Sequence, residues 1–285
     1  MIADNDRVVA LIAETAAVDV MPRFRALAAH DVSEKGPGDL VTTADLAAEA
    51  RLTKGLTGLL SGSVTVGEEA VAANPDRLRH LEREAPVWII DPIDGTANFV
   101  AGDPRFAVMV SLVIQGRCEA GWIHDPVRGI TVAAHRGDGA ALNGDRVRLV
   151  PLAPIESELK RLIGAVYYRP RDAGMKEHFK QILVRFAALR TSRSAGQEYL
   201  ALAMRDIHFA MFSRLNPWDH AAGALIHREA GGFNARLDGS PYEPDWAKDT
   251  VWTPRRGLLL APDPVIWNTL MRAFFNEDVR PLQKT

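Results

Sequence analysis

Several acidic residues in this sequence directly follow apolar runs. Asp91 and Asp94 come after the run "VWII", and Glu68 and Glu69 come after "SVTVG". Asp219 follows "NPW" in the same way. Carboxylates at the ends of buried strands repel one another, and burial adds a desolvation cost. A hard divalent cation would neutralise them, and Mg²⁺ commonly lies between carboxylates and substrate phosphates.

The residues that follow Asp94 could form an anion site. Gly95 permits a turn that a side chain would block. If a helix begins at Thr96, its free N–H groups and the positive end of its dipole favour a bound anion. Metal-binding carboxylates and this helix start would then face one small volume, which suits a phosphate group with its counter-ions.

Each acidic position also has a purely structural interpretation. Asp45 could complete a capping box with Thr42, and Asp219 could cap the helix that follows it. The two aspartates of "DPID" could be turn residues, and the glutamate pair could lie in a solvated loop. When each position is considered alone, its structural interpretation stays open. When the carboxylates are considered together, their clustering favours a metal site.

The predicted elements form two unequal halves. Amphipathic helices are predicted over residues 6–30 and 43–60, with a loop-like, Gly- and Pro-rich stretch between them. Short apolar runs bounded by turn residues then predict a largely antiparallel block of strands up to residue 150. After a connector at 150–160, strands alternate with helices, which are predicted over Met175–Leu189, over Gly196–Met204, after Trp218 and over Pro264–Phe275.

This order predicts an α+β fold of layered helices and sheets, and not one regular doubly wound sheet. Residues 1–150 would form an N-terminal α+β half with most of the metal ligands. Residues 151–285 would form a C-terminal α/β half with Asp219 and the substrate-facing residues. Together we expect one compact catalytic unit.

Composition excludes several classes of protein. The net charge is −2 with no basic block, so nucleic acid is not an expected partner. The single cysteine, Cys118, excludes an intrachain disulfide framework and fits a reducing compartment. Charged residues interrupt the first twenty positions, and no apolar run approaches the ~20 residues of a membrane span. We therefore expect a soluble cytoplasmic protein with no membrane contact.

Familiar nucleotide and hydrolase motifs fail on inspection. "GAALNGD" has Asp where a P-loop needs Lys, and "GDGAAL" is one glycine short of a dinucleotide fingerprint. No HExxH or GxSxG motif occurs in the sequence. Kinase, dehydrogenase, zinc hydrolase and serine hydrolase functions all lose support.

Three segments resemble the signatures of the inositol monophosphatase family, whose members are Mg²⁺-dependent, Li⁺-sensitive phosphatases. They are "GEE" at 67–69, "WIIDPIDGTANF" at 88–99 and "PWDHAAGALIHREAGG" at 217–232. "KGPGDLVTTAD" at 35–45 and "RGDGAALNGDRV" at 136–147 support the match. The resemblance implies a layered α-β-α-β-α sandwich, usually a homodimer.

The resemblance also implies two or three Mg²⁺ ions per subunit. Asp91 would be shared between the first and second ions, and Glu69 would act through water in a weaker outer shell. The full implied ligand set is Glu68, Glu69, Asp91, the Ile93 carbonyl, Asp94 and Asp219.

Catalytic roles follow from the same resemblance. The N–H groups of Gly95 and Thr96 would bind phosphate. Thr96, oriented by Asp45, would position or deprotonate the attacking water, and Glu68 would complete the catalytic set. No covalent nucleophile is needed for an in-line displacement assisted by two metals.

One departure concerns the substrate. Many inositol-selective members carry a glutamate seven residues before the tryptophan-linked aspartate, and Phe212 stands there in this chain. Arg193 or Glu198 could take over hydroxyl recognition, or both could lie on a helix surface. His220 could reach the substrate, or it could cap or pack in the first helical turn.

The expected function is hydrolysis of a small polyol or sugar phosphate such as inositol 1-phosphate. The same chemistry could act on histidinol phosphate, fructose 1,6-bisphosphate or a 3′-phosphoadenosine nucleotide. The alternative from a different class of function is a catalytically silent scaffold protein with the same fold.

Overall fold

The structure is a computed structural model that describes residues 4–82, 84–150, 159–242 and 257–276. Its helices are α1 (Asn5–Thr15), α2 (Thr43–Leu59), α3 (Glu68–Ala73), α4 (Thr96–Val100), α5 (Ala173–Leu183), α6 (Ala195–Ala203), α7 (Pro217–Glu229) and α8 (Pro264–Phe275). Strands of the first half are β1 (Val32–Gly36), β2 (Asp39–Thr42), β3 (Val64–Gly67), β4 (Val87–Asp94), β5 (Ala107–Ile114), β6 (Arg117–Asp125), β7 (Ile130–His135), β8 (Gly139–Leu142) and β9 (Asp145–Val147). Strands of the second half are β10 (Ile163–Tyr167), β11 (Ala188–Leu189), β12 (Phe209–Phe212), β13 (Phe233–Arg236) and β14 (Leu258–Ala261).

Two sheets carry the fold. Seven strands lie in the order β3-β4-β5-β6-β7-β8-β9, and only the β3–β4 pair is parallel. Five strands lie in the order β11-β10-β12-β14-β13, where β10 is parallel to both of its neighbours. Strands β1 and β2 form a separate antiparallel hairpin. The predicted antiparallel block is therefore confirmed.

The helices complete five alternating layers. Helices α1 and α2 cover one face of the seven-stranded sheet, where Trp88 and Ile90 of β4 point. Val87 and Ile89 point to the other face, which packs on α6 and α7, as the two-residue period of a strand requires. The five-stranded sheet follows, and α5 and α8 cover its far side. The predicted α-β-α-β-α sandwich is confirmed.

Helices of the second half of the chain thus pack on the sheet of the first half. The division into halves at residue 150 stays a prediction, and residues 151–158 of the predicted connector lie outside the described residues. None of the helices in the described ranges is long and apolar enough to cross a membrane.

Some predicted boundaries were wrong. The first helix was predicted to residue 30, but its last irregular turns end at Arg23, and Arg25 has a left-handed backbone with φ 61°. The helix predicted over Met175–Leu189 ends at Leu183, because Ala188 and Leu189 pair with β10 instead.

Four strands escaped prediction because glycine or short length hid them. The stretch taken as a loop between the first two helices contains the β1–β2 hairpin, whose turn has Gly38 at φ 75°. The failed fingerprint "GDGAAL" contains β8, and β13 was too short to stand out.

The contact between β6 and α7 determines where Asp219 lies. A Cβ atom built on Gly121 of β6 would come within 2.7 Å of the Ala222 Cα atom in α7. Only a glycine therefore allows α7 to lie this close to the sheet. Asp219 is in the first turn of that helix, so this contact also holds Asp219 near the end of β4.

We predict that Gly121→Ala lowers the free energy of unfolding by about 1–3 kcal/mol, the usual cost of overpacking. Urea denaturation would measure it. Gly58→Ala is the matched control, because Gly58 is exposed in α2 and a Cβ there meets nothing within 4 Å. That control should be neutral or stabilising by up to ~1 kcal/mol. Equal stability of Gly121→Ala and the wild type would contradict the close packing of α7 on β6.

Candidate active site

Three aspartates converge at the end of β4. One carboxylate oxygen from each of Asp91, Asp94 and Asp219 lies within 4.8 Å of the others. Asp91 and Asp94 can share a side of the strand because the β4–β5 register shifts between them: Asp91 pairs with Met109 and Asp94 with Ala107. The extra residue is a bulge, which turns the second aspartate toward the first.

Each aspartate has a different set of partners. Asp94 accepts hydrogen bonds from the start of α6: the Ser194 hydroxyl, the Ala195 N–H at 3.1 Å and the Gly196 N–H at 2.7 Å. Asp219 accepts one from the Asn216 side-chain amide at 3.0 Å. The Asp91 Oδ1 atom is buried and has no hydrogen-bond partner. An orphaned buried oxygen of this kind calls for a ligand.

Burial makes the negative charge of this cluster costly. It is the main cause that raises the pKa of Asp91 and Asp219 well above the ordinary value, and the neighbouring carboxylates raise both further. The pKa of Asp94 rises to about 6 even though three donors stabilise its ionised form. A donor set of carboxylate oxygens with one free buried oxygen fits a hard divalent cation such as Mg²⁺.

The two glutamates of "GEE" contact a lysine instead. Lys35 on β1 places its Nζ atom 2.8 Å from Glu68 Oε1 and 2.9 Å from Glu69 Oε1. Burial alone would lower the pKa of Lys35, but these two contacts raise it. Within the described chain, Glu68 and Glu69 do not join the aspartate group, although the charge of Glu68 raises the pKa of Asp91.

Sequence reasoning missed both Lys35 and Glu49. The Glu49 side chain is buried and accepts hydrogen bonds from the N–H groups of Glu69 at 2.8 Å and Ala70 at 2.9 Å. A Cβ on Gly67 would lie 2.2 Å from the Glu49 carboxylate carbon, so the glycine of "GEE" is required here. The signal in the sequence that could have identified Glu49 was an acidic residue within an alanine-rich helical stretch.

Asp45 makes the contacts that both of its predicted roles require. It forms the capping box, since its Oδ2 accepts from the Thr42 N–H at 2.9 Å and its own N–H lies 3.4 Å from Thr42 Oγ1. Its Oδ1 is 3.3 Å from Thr96 Oγ1, which is also 3.0 Å from the Ile93 carbonyl oxygen. Burial raises the pKa of Asp45 to about 6.

Gly95 forms the turn that the sequence predicted. Its φ of 90° is in the left-handed region, and it caps the short helix α4, which begins at Thr96 as expected. A Cβ at this position would approach Ser194 Cβ to 3.0 Å and the Arg105 carbonyl oxygen to 3.1 Å. The first N–H groups of a helix have no partner within the helix.

A cavity of about 500 Å³ opens beside the aspartates. Asp94 and Asp219 line this cavity together with the aromatic residues Tyr167 and Phe212. These two rings are stacked, with centroids 5.5 Å apart and planes at 7°. A cavity of this size can enclose a small organic molecule.

The three residues predicted to contact substrate lie in different environments. Arg193 is exposed and lines the cavity. His220 also lines it, but Tyr199 Oη (3.0 Å) and the Arg214 carbonyl oxygen (2.8 Å) contact its two ring nitrogens. Burial lowers the pKa of His220 to about 4, so the packed interpretation of this residue agrees with its contacts.

Glu198 lies neither in the cavity wall nor on a helix surface. It is 2% exposed, and its Oε1 accepts from the Tyr167 hydroxyl and from the backbone and hydroxyl of Ser192. The surface alternative was therefore wrong for this residue. Glu198 fixes the segment that precedes α6, and through it the donors that bind Asp94.

Comparison with known proteins identifies the family to which the chain belongs. The profile of the inositol monophosphatase family matches residues 5–272. The chain belongs to the inositol monophosphatase family. Members of this family are metal-dependent phosphoric monoester hydrolases, generally with Mg²⁺. The predicted family is confirmed.

Individual relatives are identical to this chain at about a third of the aligned positions. It is 36% identical to the Nus factor SuhB of Vibrio cholerae over 70% of this chain and 73% of that protein. It is 30% identical to the inositol-1-monophosphatase of Mesorhizobium japonicum over 85% of both chains. An IMPase structure from Thermotoga maritima superposes with a TM-score of 0.76 at 24% identity, covering 95% of this chain and 96% of that one. That likeness shows the fold.

The raised pKa values predict how stability depends on pH when no metal is bound. Burial raises the pKa of Asp45 and Asp94 to about 6 and that of Glu69 to about 7. The folded state therefore binds these protons more tightly than the unfolded chain, whose carboxyl pKa values are about 4. As the pH rises from about 4 to 7, the contribution of these three groups to the free energy of unfolding should fall.

We predict that Mg²⁺ raises the melting temperature more at about pH 8 than at about pH 5.5, because these carboxyl groups bind a cation when they are ionised. Na⁺ at the same ionic strength should not reproduce this difference. Thermal unfolding followed by circular dichroism, with Mg²⁺ and with a chelator, would measure both effects. An equal effect of Mg²⁺ at the two pH values, or the same effect from Na⁺, would contradict a cation site among these carboxylates.

Proposed function

We propose that this protein is a Mg²⁺-dependent phosphomonoesterase that hydrolyses a small polyol or sugar phosphate by attack of water. The observation that carries the proposal is the group of Asp91, Asp94 and Asp219, with the buried unpartnered oxygen of Asp91, beside a cavity of about 500 Å³. A phosphate ester in that cavity would lie next to the cation site and to the start of α4.

The ligand set in the proposal is the one that the sequence predicted. Asp91, Asp94 and Asp219 already lie together, and the Ile93 carbonyl oxygen is near them on β4. Glu68 and Glu69 would join by exchanging their contact with Lys35 for a cation. Bound Mg²⁺ would supply an activated water and neutralise the charge of the leaving group.

The protein's own groups would orient the reactants. The hydroxyl of Thr96 lies between Asp45 Oδ1 and the Ile93 carbonyl, so it can hold a water molecule while Asp45 fixes its orientation. At neutral pH most Asp45 is ionised, since its pKa is about 6, and it can accept a proton through Thr96. The N–H groups of Gly95 and Thr96 would bind the phosphate oxygens.

The finer features belong to the same proposal. We propose two or three Mg²⁺ ions per subunit, inhibition by Li⁺, a homodimer and a cytoplasmic location, all of which are general in the family. Glu68 completes the proposed catalytic set with Thr96 and Asp45. Arg193 is the better candidate for a substrate contact than His220 or Glu198, whose polar atoms have protein partners.

The names of the relatives leave the substrate open. One is an inositol-1-monophosphatase, one is a fructose-1,6-bisphosphatase/inositol-1-monophosphatase of Thermotoga maritima, and one staphylococcal structure has 2′-AMP bound. The name Nus factor of the SuhB relatives favours, as a second candidate, a protein that acts without catalysis. An intact set of proposed metal ligands argues for the enzyme.

We predict phosphate release that requires Mg²⁺. The substrates to test are inositol 1-phosphate, glycerol 2-phosphate, histidinol phosphate, fructose 1,6-bisphosphate and adenosine 3′,5′-bisphosphate, each with Mg²⁺ and with a chelator. Turnover of at least one of them only with Mg²⁺ is the expected result. No phosphate release from any of them would favour the non-catalytic candidate.

We predict that Asp94→Asn lowers kcat at saturating Mg²⁺ by at least about 100-fold, because it removes a proposed cation ligand. The fold should survive, since removal of one buried negative charge also reduces repulsion, and circular dichroism would check this. Asp145→Asn is the matched control, an exposed aspartate on β9. Near wild-type turnover of Asp94→Asn would refute the site assignment.

A further inference from the structure

Three arginines border the cavity that also contains Asp94 and Asp219. Arg169, Arg193 and Arg214 all line it, and all three are exposed. None of them coordinates a cation, since a guanidinium group has no acceptor atom. The proposed hydrolysis of one phosphate also assigns them no role.

The fold explains why the three converge. Strands β10 and β12 run parallel with Tyr167 opposite Phe212, so Arg169 and Arg214 each stand two residues beyond the same rung at the carboxyl ends of neighbouring strands. Arg193 reaches the same place from the turn before α6, where its N–H donates to the Tyr167 hydroxyl at 2.7 Å. It is held there in a left-handed conformation with φ 62°.

The backbones of Arg193 and Arg214 are anchored by hydrogen bonds, and the Arg214 charge offsets part of the rise in the pKa of Asp219. The Arg214 carbonyl oxygen contacts His220 Nε2 at 2.8 Å. Within the described ranges, no carboxylate lies within the 4.0 Å of an ion pair with any of the three guanidinium groups. Asp103, whose charge acts on Arg193, is already bound by Arg105 through both oxygens.

The aromatic residues beside the three arginines, Tyr167 and Phe212, offer few hydrogen-bonding groups to a sugar hydroxyl. Phe212 is apolar, and the Tyr167 hydroxyl already contacts Glu198 and the Arg193 N–H. Arginine recognises phosphate and carboxylate groups with paired N–H donors, and it does so better than it recognises hydroxyls. The arginines therefore suit an anionic group of the substrate in the same cavity as the aspartates.

We propose that the substrate carries a second anionic group, a phosphate or a carboxylate, which Arg169, Arg193 and Arg214 bind while its ester phosphate lies at the aspartates. This inference rests on the proposed function for the orientation of the substrate. The preferred substrates are then sugar or polyol bisphosphates or phosphorylated acids, and not simple monophosphates of neutral polyols.

Matched substrate pairs test the inference. Fructose 1,6-bisphosphate and fructose 1-phosphate differ by the second phosphate, and 2-phosphoglycerate and glycerol 2-phosphate differ by a carboxylate. In one of the pairs, we expect kcat/KM to be at least about tenfold higher for the substrate with the second anionic group. A tenfold difference corresponds to the value of one charged hydrogen bond. The pair that shows the preference identifies the second group.

Variants connect the preference to the arginines. Each of Arg169→Gln, Arg193→Gln and Arg214→Gln should raise KM for the substrate with the second anionic group more than for its monophosphate partner, and should reduce the effect of salt on KM. Arg190→Gln is the control, because Arg190 is exposed in the same connection as Arg193 and lines a different cavity. Equal kcat/KM within both pairs, or a preference that survives the triple variant, overturns the inference.

A binding measurement separates this inference from the proposed function. If no substrate is hydrolysed, the proposed function fails. Calorimetry with fructose 1,6-bisphosphate still shows whether the three arginines form an anion site. Binding by the wild type that the triple variant loses supports the arginine site, and equal or absent binding in both proteins overturns it.

Discussion

The mutual repulsion of Asp91, Asp94 and Asp219 is the constraint on which the rest of the structure depends. Their carboxylate oxygens lie within 4.8 Å of one another, and Asp91 and Asp94 are almost completely buried. Neutral polar groups provide only part of the compensation, as the raised pKa values show. A bound cation would provide the remainder, and the unpartnered buried oxygen of Asp91 is available to it.

The surrounding elements hold this unfavourable group in place. The bulge in β4 turns Asp94 toward Asp91, and the start of α6 binds Asp94 through three donors. Gly121 allows α7 to approach the sheet closely enough to add Asp219. Since these elements come from both halves of the chain, the cation site and the packing of the two sheets depend on each other.

The sequence was most informative where the site is local. "DPIDGT" predicted the strand end, the left-handed glycine and the helix start correctly, because one short segment contains them all. Lys35, Glu49 and Ser194 were not predicted to contact the acidic residues. Their contacts cross 33, 20 and 100 residues of chain, and no local pattern encodes such pairings.

Residue type alone misjudged Glu198 and part of the fold. A carboxylate near the site suggested a substrate contact or a surface position, but neighbouring donors bury it beneath the turn that carries Arg193. The helix predicted to Leu189 ended early because strand pairing with β10 outweighed local preference. In both cases tertiary partners decided the outcome.

Direct measurement of cation binding tests the central claim. Mn²⁺ can replace Mg²⁺ as a paramagnetic probe, and electron paramagnetic resonance counts the free ion in a titration of wild type and Asp91→Asn. The account predicts saturable binding by the wild type that Mg²⁺ displaces, with a large loss of affinity in the variant. No saturable binding, or equal binding by both proteins, would contradict it.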